Sequence, residues 1–318
     1  MSRPDRYSSG DPDTPLYGVS TERLELVFLP SAGGRLISLL VDGRELLWRN
    51  PQFFDDDVRL RVPRAEWSRI DGTFASWSNL GGSKVWPAPQ GWGGENEWPG
   101  PPDEVLDAGA WTLRESRDGE FIRIELVSPD DPRTGLRITR IFSIPEHGTW
   151  MHERIVFRAT GARAVTWAPW EVCQIDTRGS VGVADSVIRV ATAGADPVPL
   201  GTWWNEISVA VTDTQVVIPV QDVVAKLGFA DATGSIDWTT ADGARLALQF
   251  TPEPGETYPD GGSRVEVWMQ APMEHPVPAL SGLHPDAYVA ELEVLGPLRT
   301  LHPGDTTSLE ITWVMERG

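Results

Sequence analysis

Hydrophobic and polar residues alternate with a period of two along much of the chain. Such alternation places every second side chain on the same face and is typical of half-buried β-strands. No amphipathic helix longer than two turns is indicated. Many short strands separated by Gly, Pro, Asp and Asn turns predict an all-β sandwich or barrel. The alternating segments are 24–28, 36–41, 121–127, 136–142, 152–157, 165–175, 246–250, 264–270, 288–295 and 308–314.

One long segment, residues 67–111, breaks this pattern and reads as irregular. Long irregular segments inside a compact domain are unusual and tend to be functional. We expect its indole rings to fix this segment to the sheet. Its tryptophans are Trp67, Trp77, Trp86, Trp92, Trp98 and Trp111.

The length of the chain, 318 residues, is compatible with one large β domain. Its first residues are polar and rich in Pro, Ser and Asp, without an apolar run. We therefore expect a disordered N-terminal tail over residues 1–18 and a single β-sandwich domain over residues 19–318.

Charge and cysteine content narrow the possible partners. The chain has 46 acidic and 27 basic residues and a formal net charge of −19. This charge repels phosphate backbones and anionic membranes, so we expect no nucleic-acid and no membrane partner. Without an apolar stretch of membrane-spanning length, a cytoplasmic location is expected. The single cysteine, Cys173, excludes an internal disulfide. No zinc-ligand spacing or nucleotide-binding loop is found, so neither a metal nor a cofactor is expected.

Tryptophan is the most unusual component of the sequence. There are 15 Trp residues, against 4 Tyr and 9 Phe. An indole face can stack on the axial C–H groups of a pyranose, which points to a carbohydrate as the small-molecule partner. The alternative for each Trp is that it fills the core of the sandwich.

Four segments, in this order, resemble the aldose 1-epimerase (galactose mutarotase) superfamily. They are Ala-Gly-Gly-Arg-Leu-Ile-Ser-Leu at 32–39 with its turn at 42–47, Asn-Leu-Gly-Gly-Ser-Lys-Val-Trp-Pro at 79–87, the strand pair 155–174, and 288–297 with the turn 301–305. Together they span about residues 24–315. Within the superfamily, 81–90 is most similar to a branch without an established activity, marked by a GG-x-K-x-WPAPQ loop.

The resemblance implies a galactose mutarotase-like twisted β-supersandwich whose concave face binds a sugar. Opening and closing a hemiacetal needs a general base at the anomeric hydroxyl and a general acid at the ring oxygen. In the family, a Glu near the C-terminus is the base and histidines supply the acid. Here Asp107-Ala108-Gly109 stands where the first histidine is expected, and Trp170 aligns with the second. The usual acid is therefore missing.

Carboxylates and a lysine are the remaining candidates for catalysis. Glu293 best matches the catalytic base, with Glu291 second, since alternation places both on one strand face. Lys84 lies in the Gly-rich loop next to Trp86 and is a candidate for the acid or for binding an anion. The alternatives are a solvated or Arg-paired glutamate and a loop lysine that reaches solvent. Candidate substrate-binding residues are Arg35, Asn79, Trp86, Gln90, Trp170, Glu171, Gln174, Glu266 and Trp268.

Three functional hypotheses follow. The first is an epimerase-like isomerase, or another acid–base enzyme, that acts on a sugar or a sugar-bearing small molecule. The second is a carbohydrate-binding protein without catalytic activity, which the missing histidines favour. The third is a repurposed cyclase or lyase of specialised metabolism that uses the same concave face.

Overall fold

The computed structural model describes residues 7–91 and 96–318, and its regular structure consists almost entirely of strands. Three 3₁₀ turns, Arg64–Glu66, Phe74–Ser76 and Pro278–Leu280, lie in loops of this part. In chain order the strands are β1 (Tyr17–Ser20), β2 (Leu24–Leu29), β3 (Arg35–Val41), β4 (Arg44–Glu45), β5 (Ser83–Ala88), β6 (Thr112–Asp118), β7 (Phe121–Val127), β8 (Leu136–Pro145), β9 (Trp150–Ala159), β10 (Val165–Asp176), β11 (Val187–Thr192), β12 (Val198–Trp204), β13 (Ala210–Val211), β14 (Gln215–Pro219), β15 (Val224–Phe229), β16 (Ala232–Thr239), β17 (Arg245–Phe250), β18 (Val265–Gln270), β19 (Val289–Leu295), β20 (Arg299–Leu301) and β21 (Thr306–Glu316).

These strands form two antiparallel sheets, as expected for an all-β sandwich. The first sheet has the order β1-β2-β3-β5-β10-β19-β18-β15-β12, with β4 beside β3 and β20 beside β10. The second has the order β13-β14-β11-β16-β17-β21-β9-β8-β7-β6. Because β5, β10, β19, β18 and β15 are neighbours at the centre of the first sheet, residues distant in sequence are brought together there.

The core lies between the two sheets and is mainly aliphatic and aromatic. Strands β18 and β19 are buried along their whole length, so both of their faces are covered. Their sequences alternate Val, Ala, Met or Leu on the core face with Glu, Trp or Gln on the opposite face for most of their length. The second set of side chains lies on the face that we call the concave face, where polar groups gather on the side of the sheet away from the second sheet.

One buried ion cluster crosses the core. Arg140 on β8 donates to Glu153 at 2.7 Å and to Glu171 at 3.2 Å, and all three side chains have no solvent exposure. Arg140 also donates to the Ser83 hydroxyl and carbonyl on β5, at 2.7 and 2.9 Å. The two sheets are thereby joined by polar contacts directly behind the concave face.

Two sequence expectations need correction. The segment 67–111 is not wholly irregular, because it contains the central strand β5 and the turn Phe74–Ser76; Trp92 lies outside the described residues. The boundary proposed at residue 18 also falls inside folded structure. Strand β1 begins at Tyr17, and Leu16 packs in an apolar cluster with Val27 and Leu29. The ten alternating segments all coincide with strands.

Candidate functional site

The strand register determines which side chains share the concave face of the first sheet, because residues paired across an antiparallel ladder point to the same side. Trp86 pairs with Trp170, and Lys84 pairs with Val172. Farther along the sheet, Gln174 pairs with Glu291, Glu293 with Glu266, and Glu291 with Trp268. Lys226 pairs with Trp268 from the next strand.

Gly81 and Gly82 make this register possible at β5. Both have positive φ, +95° and +75°. A Cβ atom on Gly81 would stand 2.5 Å from the Trp48 carbonyl oxygen, and one on Gly82 would collide with the Leu36 carbonyl. Only glycine permits this close approach to β3 and the following loop. The two glycines thereby set where Lys84 and Trp86 enter the sheet.

Lys226 is the centre of the first polar cluster. Its ammonium lies 2.7 Å from Glu266 and 3.0 Å from Glu293, and both carboxyls are completely buried. The Trp170 indole N–H donates to the same Glu293 oxygen at 2.7 Å, and the Lys226 ammonium lies 4.6 Å from the Trp170 ring centre. One cation is therefore shared by two buried carboxyls.

Lys84 organises the second cluster, around Glu291. The Lys84 ammonium donates to Glu291 Oε1 at 3.1 Å, and the Gln174 amide donates to the same oxygen at 2.6 Å. Lys84 lies 4.8 Å from the ring centre of Trp86, in cation–π contact, and is only 1% exposed. Both donors point to Oε1, so Oε2 of Glu291 has no hydrogen-bond donor among the described residues.

Burial shifts the pKa values of these groups in opposite directions. It lowers the pKa of Lys84, although Glu291 opposes the shift. It raises the pKa of Glu266 well above the ordinary value and also raises that of Glu293, with Lys226 opposing both shifts. For Lys226 itself, burial would lower the pKa, but the charges of Glu266 and Glu293 outweigh it and raise the pKa. The cluster therefore favours an ammonium beside carboxyls that can retain a proton.

A cavity of about 340 Å³ opens above these clusters. Residues from 74–101 and 279–283 form much of its wall, and strand residues of the first sheet form its floor. Its aromatic lining consists of Phe74, Trp77, Trp86, Trp170, Trp203 and Trp268, and its polar lining of Asn79, Gln90, Gln174, Lys226, Asp260, Glu266, Gln270 and Glu291. Aromatic walls around a few polar groups are the usual composition of a small-molecule site.

Eight of the twelve candidate residues from the sequence line this cavity: Asn79, Trp86, Gln90, Trp170, Gln174, Glu266, Trp268 and Glu291. Asn79 and Gln90 lie at its wall and also hold loops. The Asn79 side-chain oxygen accepts from the Gly81 amide at 3.3 Å, and the Gln90 amide donates to the Gly100 carbonyl at 2.7 Å. Lys84 and Glu293 lie in the layer just beneath, buried against the lining residues.

Arg35 lies deeper, in a buried ion pair with Asp107. Asp107 also accepts hydrogen bonds from the Trp77 and Trp86 indoles, at 2.9 and 3.2 Å. Arg35 also donates to the Gly81 carbonyl at 3.2 Å. It therefore does not line the cavity but supports it from beneath, through Gly81 and through Asp107, which fixes the orientation of two wall tryptophans.

Glu171 does not share the concave face. It follows Trp170 by one residue, so its side chain points to the opposite side of β10, into the core. There it contacts Arg140 and Ser83, and burial raises the pKa of its carboxyl to about 8. The expectation that Glu171 binds substrate does not agree with this position.

Several residues that line or support the cavity were not found by sequence reasoning. Lys226 carries a weak signal, because it and Lys84 are the only two lysines of the chain. Asp107 was considered only as part of the segment where the family's first histidine is absent, and no role was predicted for its carboxylate. Trp203 and Asp260 come from strands and loops that carry no motif.

No histidine lines the cavity among the described residues. The same part of the chain contains no group of three or more His, Cys, Asp or Glu side chains placed to hold a metal ion. None of its helices is long and apolar enough to cross a membrane.

Comparison by sequence finds no matching protein family and no matching curated protein. Comparison of structures finds clear similarities. A protein from Synechocystis sp. PCC 6803 matches with a TM-score of 0.62 at 14% identity, over 100% of this chain and 99% of that one. A galactose mutarotase-like protein from Lactobacillus casei matches with a TM-score of 0.55 at 8% identity, over 95% and 100%. A TPR-domain containing protein from Parabacteroides distasonis matches with a TM-score of 0.62 at 13% identity, over 95% of this chain and 47% of that one.

Other matching structures are described as galactose mutarotase-like or carry a provisional aldose 1-epimerase name. The chain therefore has the galactose mutarotase-like sandwich fold, and the resemblance read from its sequence is confirmed at the level of the fold. Sequence identities of 8–14% establish the fold alone. Any reaction must be inferred from the residues of the site.

Proposed function

We propose that this protein is an acid–base enzyme of the aldose-epimerase type that acts on a sugar or a sugar-bearing small molecule. The observation that carries the proposal is the pairing of two carboxyls in one aromatic cavity. Glu291 presents an oxygen without a donor, and Glu266 is a completely buried carboxyl whose pKa is raised by burial. Different environments for two carboxyls are the usual means of obtaining a base and an acid from one residue type.

Glu291 is the better candidate for the base than Glu293. Glu291 lines the cavity, whereas Glu293 is completely buried and has one oxygen already engaged by Trp170 and Lys226. With Lys84 and Gln174 both donating to Oε1, Oε2 of Glu291 keeps its lone pairs for a substrate hydroxyl. We assign Lys84, Gln174 and Glu293 to positioning.

Glu266 is the candidate for the acid that replaces the family histidine. It lines the same cavity, and the charge of nearby Asp260 adds to the effect of burial in raising its pKa. A carboxyl that retains its proton near neutrality can donate it to a ring oxygen. Lys84 is a weaker candidate, because Glu291 and the Trp86 ring enclose its ammonium.

The reaction then follows from these two positions. Glu291 accepts the proton of the anomeric hydroxyl while the bond between the anomeric carbon and the ring oxygen breaks. The ring oxygen takes the proton of Glu266, which gives the open-chain aldehyde. Rotation about the bond next to the aldehyde and reversal of both transfers close the ring as the other anomer.

Exchange spectroscopy by NMR tests the proposal, with a panel of hexoses, amino sugars and hexose phosphates. We expect faster interconversion of the anomers of at least one sugar than in buffer alone. The Glu291→Gln variant should lose about a hundredfold or more of this acceleration and keep its affinity, because the amide cannot accept the proton. Glu310→Gln, on the exposed side of β21, is the matched control and should behave as wild type.

Other outcomes of the same experiment distinguish the alternatives. Saturable sugar binding without any acceleration would favour a carbohydrate-binding protein, in agreement with the lack of a histidine in the described cavity lining. Full activity in Glu291→Gln would contradict the assignment of the base.

A further inference from the structure

The charged groups that face the cavity are strongly unbalanced. Lys226 is the single cation of the described lining, and three carboxyls, Asp260, Glu266 and Glu291, surround the same space. Lys226 is also committed, since its ammonium already bridges Glu266 and Glu293. The cavity therefore offers negative charge to a ligand and no free positive charge.

This excess of carboxyls over cations in the cavity is unfavourable for binding phosphorylated sugars. Recognition of phosphate uses arginines or lysines that are free to form charge-assisted hydrogen bonds with the anion. The nearby cations Arg35 and Lys84 do not meet this need, because they are buried in ion pairs with Asp107 and Glu291. A phosphate here would face carboxyls, and no cation of the described lining is free to pair with it.

The aromatic lining shows the complementary feature. The rings of Trp86 and Trp170 each have a lysine ammonium of the protein over them. Trp203 and Trp268 pack against each other with ring centres 5.5 Å apart, and among the described residues neither ring has a cation over it. Glu266 precedes Trp268 by two residues on the same face of β18. Indole rings that line a cavity beside carboxyls, and that carry no cation of the protein, can bind the ammonium group of a ligand.

We infer that the substrate is a free amino sugar, whose ammonium group lies beside the Asp260 carboxylate and the rings of Trp203 and Trp268, while Glu266 keeps its role as the acid. This inference rests on the proposed function and specifies its substrate class. The ligand supplies the positive charge that the cavity lacks, while its ring carbons stack on the remaining indoles.

The test is isothermal titration of the full-length protein with D-glucosamine, D-galactosamine and D-mannosamine. Each is compared with its N-acetyl derivative, its parent hexose and the 6-phosphate of that hexose. Titrations are made at constant ionic strength and at about pH 6, where an amine of this type is protonated. We expect one amino sugar to bind at least about tenfold tighter than its neutral counterparts.

Asp260→Asn removes the carboxylate that pairs with the ammonium and should reduce the preference for the amino sugar towards unity. Asn is suited to residue 260, since it tolerates the left-handed backbone found there, φ +51°. Asp118→Asn, an exposed change at the end of an edge strand, alters the net charge equally and should preserve the preference.

Two results would overturn the inference, and they have different consequences. A neutral hexose or a hexose phosphate that binds at least as tightly as the amino sugars, and whose anomers the protein interconverts, removes the amino-sugar assignment but leaves the proposed function. Absence of binding for every sugar of the panel removes both.

Discussion

Replacement of Lys226 by methionine tests how the central carboxyls are held. Met has a similar length without the charge, so the substitution leaves Glu266 and Glu293, both completely buried, without the ammonium at 2.7 and 3.0 Å. Removal of one partner from a buried ion pair costs about 3–5 kcal/mol, because the remaining charge is neither solvated nor paired. We expect the free energy of unfolding to fall by about this amount at pH 8.

The stability lost in Lys226→Met should increase as the pH rises. Burial already raises the pKa of Glu266 and Glu293 in the folded protein, and removal of Lys226 raises it further. When a carboxyl has a higher pKa in the folded than in the unfolded protein, its protonation favours folding. This contribution to stability is fully present below the unfolded-state pKa of about 4.3, and it is lost as the pH rises through the folded-state pKa. The destabilisation should therefore be small near pH 5 and largest near pH 8.

Urea denaturation, followed by tryptophan fluorescence at pH 5 and pH 8, measures the free energy of unfolding of the wild type and of Lys226→Met. Arg137→Met is the matched control. It removes an exposed ion pair with Asp130, of 2.8 Å, and should cost no more than about 1 kcal/mol. The additional substitution Glu293→Gln should recover part of the stability lost in Lys226→Met. A loss below about 1 kcal/mol at pH 8, or one independent of pH, would refute the reasoning.

Three further predictions concern single side chains. Lys84→Met should reduce the rate of anomer interconversion by about tenfold or more with little change in affinity, because Glu291 loses a donor that orients it, as NMR exchange would show. Arg140→Met should lower the free energy of unfolding by about 3–5 kcal/mol at pH 8, since Glu153 and Glu171 remain buried without their cation, and urea denaturation would detect it. Trp203→Ala should weaken binding of the amino sugar by about tenfold and leave affinity for its N-acetyl derivative less affected, as titration would reveal.

Much of the fold was predictable because strand alternation is a local property. Every alternating segment is a strand, and alternation alone places Glu291 and Glu293 on one face. The same rule identifies the error at Glu171. A side chain one residue from Trp170 must point to the other side of the sheet, so both could not line one face.

The remainder of the site depends on long-range arrangement. Lys226 reaches Glu293 only because β15 lies next to β18 and β18 next to β19, an order that no local pattern specifies. Asp107 and Asp260 come from loops whose positions follow from packing against the finished sheet. Glu291 and Glu293 occupy equivalent positions in the alternating pattern of one strand, so the sequence does not show which of them faces the cavity. Their different burial and hydrogen-bond partners, which only the structure gives, distinguish the two.

The most direct test of the account is a crystal structure of the Glu291→Gln variant with its tightest-binding sugar. The account predicts a pyranose stacked on the cavity tryptophans, with its anomeric oxygen within about 3.2 Å of the side chain at position 291 and its ring oxygen towards Glu266. A sugar bound outside this cavity, or one whose anomeric carbon lies far from both carboxyls, would contradict it.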